Sequence, residues 1–285
     1  MRDTRLSRRA MFRTAAGAAA AVGLAGAMSG TAHADWGWYG RRIPKQMISI
    51  QLYTLRNLFE ADLEGTLEAL ADIGYRTVEL AGTYGRSAAE FRRLLDRYHL
   101  KATSAHVDFD GADVDELIED ARTIGYRKAA CAYADFSTLE EWRAFAGRLD
   151  AAAAAFRKAG ISYGYHNHDH EYQAIDGVRP IDVIAERTSP RNVHLEYDLY
   201  WLVVAGADPV VEYYRRFGRV QQFHVKDRGE DGGWADVGTG TIDWPTLFRR
   251  TWIGPMKQYI VEHDDPADPL NTAKVGYDYL ANLRF

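Results

Sequence analysis

The sequence predicts a single (β/α)8 barrel of the TIM type. Three observations lead to this fold class. Eight short apolar runs alternate with longer amphipathic stretches after residue 47, several of those stretches end in glycine, and no linker of low complexity divides the chain. Alternation of strands and helices at this spacing favours a parallel sheet, and eight strand–helix repeats are the number that closes a barrel.

The apolar runs have the length and the β-branched or aromatic content of strands. In chain order they are ISIQLYT (48–54), TVELA (77–81), KATSAHV (101–107), KAACAYA (128–134), ISYGYH (161–166), VHLEYD (193–198), VQQFHV (220–225) and QYIVEH (258–263). A doubly wound open sheet is the alternative arrangement of such strands. It is disfavoured because no G-x-G-x-x-G segment follows a strand.

The stretches between the runs carry apolar residues at helical spacing. They predict seven helices, at 63–74, 88–99, 114–125, 139–160, 180–188, 208–218 and 244–252. Gly74, Gly125, Gly160 and Gly218 close four of these helices, as glycine often does at a C-terminal cap.

The first 34 residues have the composition of an export signal. Five arginines occur by position 13, an apolar stretch of small residues follows, and Ala32-His33-Ala34 matches a cleavage site. The segment SRRAMF (7–12) is similar to a twin-arginine signal, with Met11 where Phe is usual. We expect cleavage after Ala34 and export, then an N-terminal extension at 35–46 and the barrel at 47–285. A retained anchor is the alternative, although the segment is short for a membrane span.

Charge and cysteine content exclude some classes of partner. The chain has a formal net charge of −5, and removal of residues 1–34 takes away five Arg and one Asp and leaves −9. A nucleic-acid partner is therefore not expected, because such partners need a basic face. We also expect no stable membrane insertion after the signal is removed. The single cysteine, Cys131, lies in an apolar run and is predicted to be a buried thiol without a disulfide.

Polar side chains gather at the ends of the predicted strands, where (β/α)8 barrels carry their active sites. Acids, histidines or a lysine end six of the eight runs, at Glu79, His106, His166 with His168, Glu196 with Asp198, His224 with Lys226, and Glu262 with Asp264. Residues two apart in a strand share a face, so each such pair can point inward together. A helix cap or a surface salt bridge is the alternative reading of any one acid.

A metal site is predicted from four of these residues, His166, Asp198, His224 and Glu262. Two imidazoles and two carboxylates form a mixed nitrogen and oxygen site. Such a site suits one Mn²⁺, Zn²⁺, Fe²⁺ or Co²⁺ ion, and suits Mg²⁺ less well.

The chain resembles the sugar phosphate isomerase/epimerase superfamily, whose members have a xylose isomerase-like barrel. The resemblance extends over most of residues 47–285. Its markers are GYRTVEL (74–80), KAGISYGYHNHDHEY (158–172), EYDLYWLVVAGADP (196–209), FHVKD (223–227), DVGTGTIDW (236–244) and YIVEHDD (259–265). The HNH segment is similar to the branch that includes inosose dehydratases and enzymes acting on 3-keto-glycosides.

The resemblance implies one divalent metal held by Glu, Asp, His and Glu from strands five to eight. Asp198, His224 and Glu262 match the last three, and His166 stands where the first Glu is usual. Epimerases of the superfamily use two glutamates on opposite faces of the substrate, so the resemblance leaves Glu262 as a base and puts its partner in doubt. His168 and Lys226 are the candidates for the second catalytic group, since His titrates near neutrality and Lys can stabilise an enediolate oxygen.

Five further residues are predicted to contact a carbohydrate substrate. They are Glu79, His106, Glu196, Trp201 and Arg228. Trp201 can stack on a sugar ring, with core packing as the alternative, and Arg228 alone is thin support for a phosphate. Export also favours a non-phosphorylated substrate. The superfamily resemblance allows a homo-oligomer.

The predicted function is a metal-dependent sugar isomerase or epimerase that removes a proton next to a metal-bound carbonyl. The alternative on the same scaffold is a 3-keto-glycoside lyase or hydratase that works by β-elimination. A non-catalytic sugar-binding barrel is a more distant alternative. A DNA-repair endonuclease of the same superfamily would need three metals and a basic face, which the charge of the chain does not supply.

Overall fold

The computed structural model describes residues 40–285. The predicted export signal, its cleavage position after Ala34 and residues 35–39 of the predicted extension lie outside the described residues. From residue 40 onward the extension runs along the barrel. The N–H of Arg41 donates to the carbonyl of Phe285 at 3.0 Å, and the N–H of Phe285 donates back to the carbonyl of Arg41 at 3.1 Å.

All eight predicted strands are present. They are β1 (Ile48–Ile50), β2 (Thr77–Leu80), β3 (Lys101–Ala105), β4 (Lys128–Cys131), β5 (Ser162–His166), β6 (Val193–Asp198), β7 (Val220–Val225) and β10 (Gln258–Val261). Two short strands that the sequence did not predict, β8 (Asp227–Arg228) and β9 (Trp234–Ala235), form an antiparallel hairpin directly after β7.

The eight long strands run parallel and close on themselves. Six form one sheet in the order β1-β10-β7-β6-β5-β4, and β2 pairs with β3 in another. Parallel bridges of Gln51 with Glu79 and of His106 with Ala130 join the two sheets at both edges. The closed ring confirms the predicted (β/α)8 barrel and rules out the open doubly wound sheet.

Ten α-helices lie among residues 40–285. They are α1 (Arg56–Ala61), α2 (Leu63–Ile73), α3 (Ala88–Arg97), α4 (Val114–Ile124), α5 (Leu139–Lys158), α6 (Pro180–Arg187), α7 (Leu199–Val204), α8 (Pro209–Arg215), α9 (Trp244–Thr251) and α10 (Pro269–Asn282). The seven predicted helices are α2 to α6, α8 and α9. The sequence did not predict α1, α7 or α10.

Local sequence sets where these helices begin and end. At the start of α3 the Ser87 hydroxyl accepts the N–H of Glu90, and the Glu90 carboxylate accepts the N–H of Ser87. α2 and α4 end at Gly74 and Gly125, whose φ angles of 125° and 100° suit glycine and strain other residues. These two ends follow from caps found in the sequence, whereas α8 ends at Arg215, three residues before Gly218, which was predicted to close it.

The interior of the barrel is polar, and side-chain alternation along the strands explains why. In β7, Gln222 and His224 point inward, while Phe223 between them packs outward against Phe248 of α9. Oε1 of Gln222 lies 3.0 Å from Nε2 of His194, a buried residue of the neighbouring strand β6. Side-chain hydrogen bonds thus link the inward-facing residues of neighbouring strands, from the centre of the barrel to the carboxyl ends of the strands.

Cys131 is buried at the end of β4, as predicted for a structural thiol. Burial raises the pKa of this thiol to about 12, so it stays protonated and unreactive at neutral pH. Across residues 40–285, none of the helices combines the length and apolar character that crossing a membrane requires.

Candidate active site at the carboxyl ends of the strands

A cavity of about 670 Å³ opens where the barrel strands end. Six of the strand-end residues singled out in the sequence lie in its wall, namely His106, His166, His168, Lys226, Glu262 and Asp264. They come from β3, β5, β7 and β10, or from the residues that follow these strands directly. The structure therefore brings the predicted catalytic residues together at one end of the barrel.

The four predicted metal ligands converge beside this cavity. His166 and Asp198 are the last residues of β5 and β6, His224 lies within β7, and Glu262 follows β10. One ligand atom from each residue can be chosen so that all four lie within 4.8 Å of one another, and all four side chains are buried. This group could hold a metal ion, because buried imidazoles and carboxylates at such separations are typical ligands of a divalent cation.

His224 lies at the centre of the group. Its Nδ1 is 2.7 Å from Oε2 of Glu262, and its Nε2 is 2.7 Å from Oε1 of Glu79 and 3.1 Å from Oε1 of Glu196. Burial by itself would lower the pKa of His224, but Glu196, Glu262 and Glu79 outweigh it and hold the pKa well above its usual range. These carboxylates favour protons on both ring nitrogens, and a metal ion held at Nδ1 would take the place of one of those protons.

Glu196 faces three imidazoles under the floor of the cavity. Its Oε1 lies 2.7 Å from Nε2 of His106 and 3.3 Å from Nδ1 of His166, in addition to the contact with His224. Burial would raise the pKa of Glu196, but His224 and His106 hold it well below its usual range. These four residues form a second group of candidate ligands, which shares His166 and His224 with the first and so overlaps it.

Asp198 and His166 offer atoms that the protein itself does not fully use. Among residues 40–285, Oδ2 of Asp198 and Nδ1 of His166 make no well-directed hydrogen bond. Oδ2 lies 3.8 Å from Nε2 of His166 and 3.0 Å from the Lys226 ammonium. Burial raises the pKa of Asp198 to about 6, and burial lowers the pKa of His166 to about 3. A buried carboxylate oxygen and a neutral imidazole nitrogen with spare lone pairs fit a cation better than they fit each other.

The backbone around Asp198 is fixed by its neighbours. Oδ1 of Asn167 accepts the N–H of Asp198 at 3.2 Å, which ties the end of β5 to the end of β6. Oδ1 of Asp198 in turn accepts the N–H of Trp201 at 3.0 Å and so caps α7. One carboxylate oxygen therefore holds a helix, and the other faces the candidate metal site.

Lys226 is a buried cation surrounded by carboxylates. Its Nζ lies 3.0 Å from Oδ2 of Asp198, 3.0 Å from Oε2 of Glu262 and 2.7 Å from Oδ1 of Asp264. Burial would lower the pKa of Lys226, but Asp198, Glu262 and Asp264 together raise it above its usual range. Lys226 therefore stays protonated, which suits stabilisation of a developing negative charge better than proton removal.

His168 faces the cavity from the loop after β5. The backbone N–H of His168 donates to Oε2 of Glu171 at 2.8 Å, and the hydroxyl of Tyr165 donates to Oε1 of Glu171 at 2.7 Å. Nδ1 of the His168 ring has no hydrogen-bond partner among the described residues. Burial lowers the pKa of His168 to about 2, so its ring is neutral and offers one hydrogen-bond donor and one acceptor.

The residues predicted to bind substrate occupy different depths. His106 lies in the cavity wall, whereas Glu79 and Glu196 are fully buried below it. Trp201 packs 5.5 Å from the His168 ring, and Arg228 lies in the β8–β9 hairpin; neither belongs to the cavity wall. Any effect of Glu79 and Glu196 on a substrate would pass through His106 and His224, which they contact. Substrate binding by these residues stays a prediction.

The sequence did not predict the arm, residues 228–243, which carries part of the cavity wall. Trp234 lies on β9 and faces the cavity, and Asp227 holds the whole arm in place. The buried carboxylate of Asp227 accepts five N–H groups, from the backbone of Arg228, Gly238, Gly240 and Ile242 and from Nε1 of Trp244, at 2.8 to 3.3 Å. The acid that follows FHVK in the sequence was the available signal.

The fold is that of a known class of barrel. The chain belongs to the xylose isomerase-like TIM barrel family, whose pattern matches residues 67–251. This finding confirms the resemblance inferred from the sequence.

Two relatives of known name are similar over most of the chain. The rhizopine catabolism protein MocC of Rhizobium meliloti is 27% identical over 274 residues, which cover 79% of this chain and 82% of that protein. Inosose dehydratase of Geobacillus kaustophilus is 23% identical over 266 residues, which cover 76% of this chain and 86% of that enzyme.

Solved structures share the fold. A sugar phosphate isomerase/epimerase of Parabacteroides distasonis superposes with a TM-score of 0.73 at 21% identity, covering 84% of this chain and 94% of that one. The probable 3-DHS dehydratase AsbF of Bacillus anthracis superposes with a TM-score of 0.63 at 14% identity, covering 82% and 98%. At these identities the likeness shows the barrel architecture.

Proposed function

We propose that the protein is a divalent-metal-dependent enzyme that removes a proton next to a ketone of a non-phosphorylated sugar or cyclic polyol. The observation that supports it most is the convergence of His166, Asp198, His224 and Glu262 within 4.8 Å, beside a cavity that also exposes Lys226 and His168. A non-catalytic binding protein would not need buried ligands and proton-transfer groups at one place.

The chemistry divides between the ion and the side chains. A bound divalent ion polarises the substrate carbonyl and so makes the neighbouring C–H acidic. Glu262 removes that proton. Burial would raise the pKa of Glu262, but Lys226 and His224 hold it well below its usual range, so the carboxylate is ionised. Lys226 stabilises the oxygen that becomes negative, and the neutral ring of His168 donates a hydrogen bond to the substrate.

Elimination is the outcome that we favour. The electron pair released from the α-carbon forms a carbon–carbon double bond, and the bond between the β-carbon and its oxygen substituent breaks. Glu262 passes the proton that it took to the departing oxygen, and the neutral ring of His168 holds that oxygen by a hydrogen bond. Two observations support this over two-base epimerisation. A histidine stands where a second glutamate would face the substrate, and several of the similar proteins are named inosose dehydratase. Return of the proton, which would give an isomerase or epimerase, is the second candidate, and a sugar phosphate isomerase/epimerase shares the fold.

A neutral substrate fits the charge of the cavity. Among the residues of the described cavity wall, Lys226 is the one Lys or Arg, and three carboxylates already surround it. A phosphate group would need additional cations, usually arginine, to replace its solvation.

Two measurements test the proposed function. Metal analysis of protein purified without chelators should find about one divalent ion per chain, with Mn²⁺, Zn²⁺, Fe²⁺ or Co²⁺ ahead of Mg²⁺. NMR in D₂O with an inosose, free ketoses and 3-keto-glucosides should show deuterium entering at the α-carbon, with loss of the β-oxygen substituent if elimination follows. Glu262→Gln should abolish the exchange and keep the fold. Absence of exchange with every substrate by metal-loaded protein would refute the proposal.

Export is proposed separately, on the sequence of residues 1–34. Expression of the full chain in a host with a twin-arginine pathway should give a secreted protein whose first residue is Asp35. Replacing Arg8 and Arg9 by Lys should keep the protein inside the cell. A membrane-bound product that retains residues 1–34 would show the alternative, a retained anchor.

A further inference from the structure

Three exposed aromatic side chains stand around the mouth of the cavity. Tyr53, Tyr133 and Trp234 all belong to its wall, yet they are 42%, 57% and 38% exposed. Aromatic rings are usually buried, because each carries a large apolar area whose burial is favourable. Two other aromatic residues are comparably exposed within residues 40–285, Tyr214 and Phe217, and those two stack on each other at the end of α8.

The three mouth residues are spread evenly around the barrel. Tyr53 follows β1, Tyr133 follows β4, and Trp234 lies in the hairpin after β7. In the order of the closed barrel these strands are three, three and two positions apart. The rings therefore surround the opening instead of forming a patch on one side of it.

Each ring is packed on one side and open on the other. The guanidinium of Arg56 lies 4.2 Å from the centre of the Tyr53 ring, and Tyr133 lies 5.3 Å from the ring of His168. Trp234 meets Trp201 edge to face at 6.3 Å, on the arm that Asp227 holds. Side chains supported in this way lose little rotamer freedom on binding, which is how aromatic residues act as anchors at binding sites.

The cavity changes character with depth. Its inner part carries the charged and imidazole groups His166, Lys226 and Glu262, whereas its mouth carries the aromatic rings. Its volume of about 670 Å³ is in the middle of the range of roughly 300–1,000 Å³ that encloses drug-sized ligands. A single sugar ring is smaller than such a ligand, so it would occupy the inner part and leave the mouth unfilled.

We infer that the mouth formed by Tyr53, Tyr133 and Trp234 is a subsite for a second ring, so that the substrate is a glycoside. The ketone-bearing sugar lies at the inner residues, and the group attached to it stacks on the aromatic rings. This inference rests on the proposed function for the inner half of the site. The second ring is either aromatic or another sugar, since both present flat faces that stack on aromatic side chains.

Binding of two-ring and one-ring ligands tests the subsite directly. We would load the protein with Zn²⁺, which is diamagnetic, and measure Kd by NMR titration for methyl β-glucoside, phenyl β-glucoside and cellobiose. At least one two-ring ligand should bind about tenfold more tightly than the methyl glucoside, as expected for one or two stacking contacts. A preference for phenyl glucoside over cellobiose identifies an aromatic second ring, and the reverse identifies a sugar.

Variants locate the preference. Tyr133→Ala and Trp234→Ala should each reduce the two-ring preference several-fold and leave the Kd of methyl glucoside within about twofold, and Tyr133→Phe should retain the preference. Phe217→Ala is the matched control, because Phe217 is 51% exposed and lies outside the cavity wall. Equal Kd values for all three ligands, no detectable binding of any, or a preference that survives in the Tyr133→Ala/Trp234→Ala double variant would overturn the inference.

Two separate measurements distinguish this inference from the proposed function. Deuterium exchange at the α-carbon of an inosose, a free ketose or a 3-keto-glucoside reports the inner site, and the ratio of Kd values of the glucosides and cellobiose reports the mouth. A two-ring preference without exchange would leave the subsite standing and remove the proposed chemistry. Exchange with free ketoses and no two-ring preference would do the opposite.

Discussion

Oε1 of Glu196 lies 3.1 Å from Nε2 of His224, and the same oxygen faces one nitrogen of His106 and one of His166. The negative charge of Glu196 on this side of both rings favours protons on the nitrogens that it faces, and the other nitrogens of His166 and His224 face Asp198 and Glu262. Such an arrangement selects the tautomer in which a histidine can bind a metal ion. Glu196 is thus a positioning residue for two of the candidate ligands.

Glu196→Leu should weaken binding of Zn²⁺ or Mn²⁺ by about 10- to 100-fold, because the imidazoles lose the acceptor that orients them. Glu196→Gln should have a smaller effect, since the amide oxygen still accepts one N–H. Calorimetric titration on folded protein measures both. Glu212→Gln is a control for loss of a buried carboxylate, as Glu212 lies on α8 and pairs with Arg179. Unchanged affinity in Glu196→Leu would contradict the positioning role.

His166→Glu restores the ligand type that the superfamily usually has at this position. The new carboxylate would lie close to Glu196, whose Oε1 is 3.3 Å from Nδ1 of His166 in the present structure. Repulsion between buried carboxylates should lower Tm without metal, and Mn²⁺ should raise Tm more in the variant than in the parent. His166→Gln controls for loss of the imidazole without added charge. A metal-induced rise no larger than that of the parent would argue against ligation at this position.

Lys226→Met should separate metal binding from turnover. The Lys226 ammonium lies 3.0 Å from both Asp198 and Glu262, so it competes with a bound cation for the same carboxylates. Its removal should tighten divalent-ion binding by about tenfold and nearly abolish turnover. Lys274→Met, which breaks an exposed ion pair with Asp278, should alter neither. Weaker metal binding in Lys226→Met would show that Lys226 supports the ligands instead of competing for them.

Glu171 should make stability depend on pH. Burial raises the pKa of Glu171 from 4.5 to about 7, although it accepts the N–H of His168 and the hydroxyl of Tyr165. Between these two values the unfolded chain has lost the proton and the folded protein keeps it, so stability falls as pH rises and then levels off above 7. Across this pH range the free energy of unfolding should fall by roughly 3 kcal/mol less in Glu171→Gln than in the parent. Unfolding measured at several pH values checks this. Parallel curves for parent and variant would refute the assignment.

Much of the fold could be predicted because the barrel strands are separated by helices with clear caps and periodicity. The missed helices have physical reasons. α7 follows β6 without a break, and its residues LYWLVV extend the apolar run with no change of period. α10 carries Gly276 in its interior, where glycine weakens a helical pattern, although the glycine fits there because a Cβ would lie 2.6 Å from the Val261 side chain.

The candidate site was predictable as a set of residues, and its layering was not. Strand ends placed His166, Asp198, His224 and Glu262 together, because the ends of parallel strands meet in a barrel. Whether an inward side chain lies in the cavity wall or below it depends on how far each strand is staggered against its neighbours. That stagger cannot be read from the residue pattern of a single sequence. Glu79 and Glu196 were predicted to contact the substrate, and in the structure both are fully buried and lie outside the cavity wall.

Asp227 has a consequence for how this barrel can diversify. The buried carboxylate of Asp227, just after β7, accepts the backbone N–H of Arg228 and the indole N–H of Trp244, the first residue of α9. One carboxylate therefore holds both ends of the arm. Residues 229–237 lie inside this arm and can be lengthened, shortened or exchanged while the strands that carry the candidate ligands keep their places. Changes in the arm, by evolution or by engineering, can therefore alter which substrate enters the cavity and leave the candidate ligands on the barrel strands unchanged.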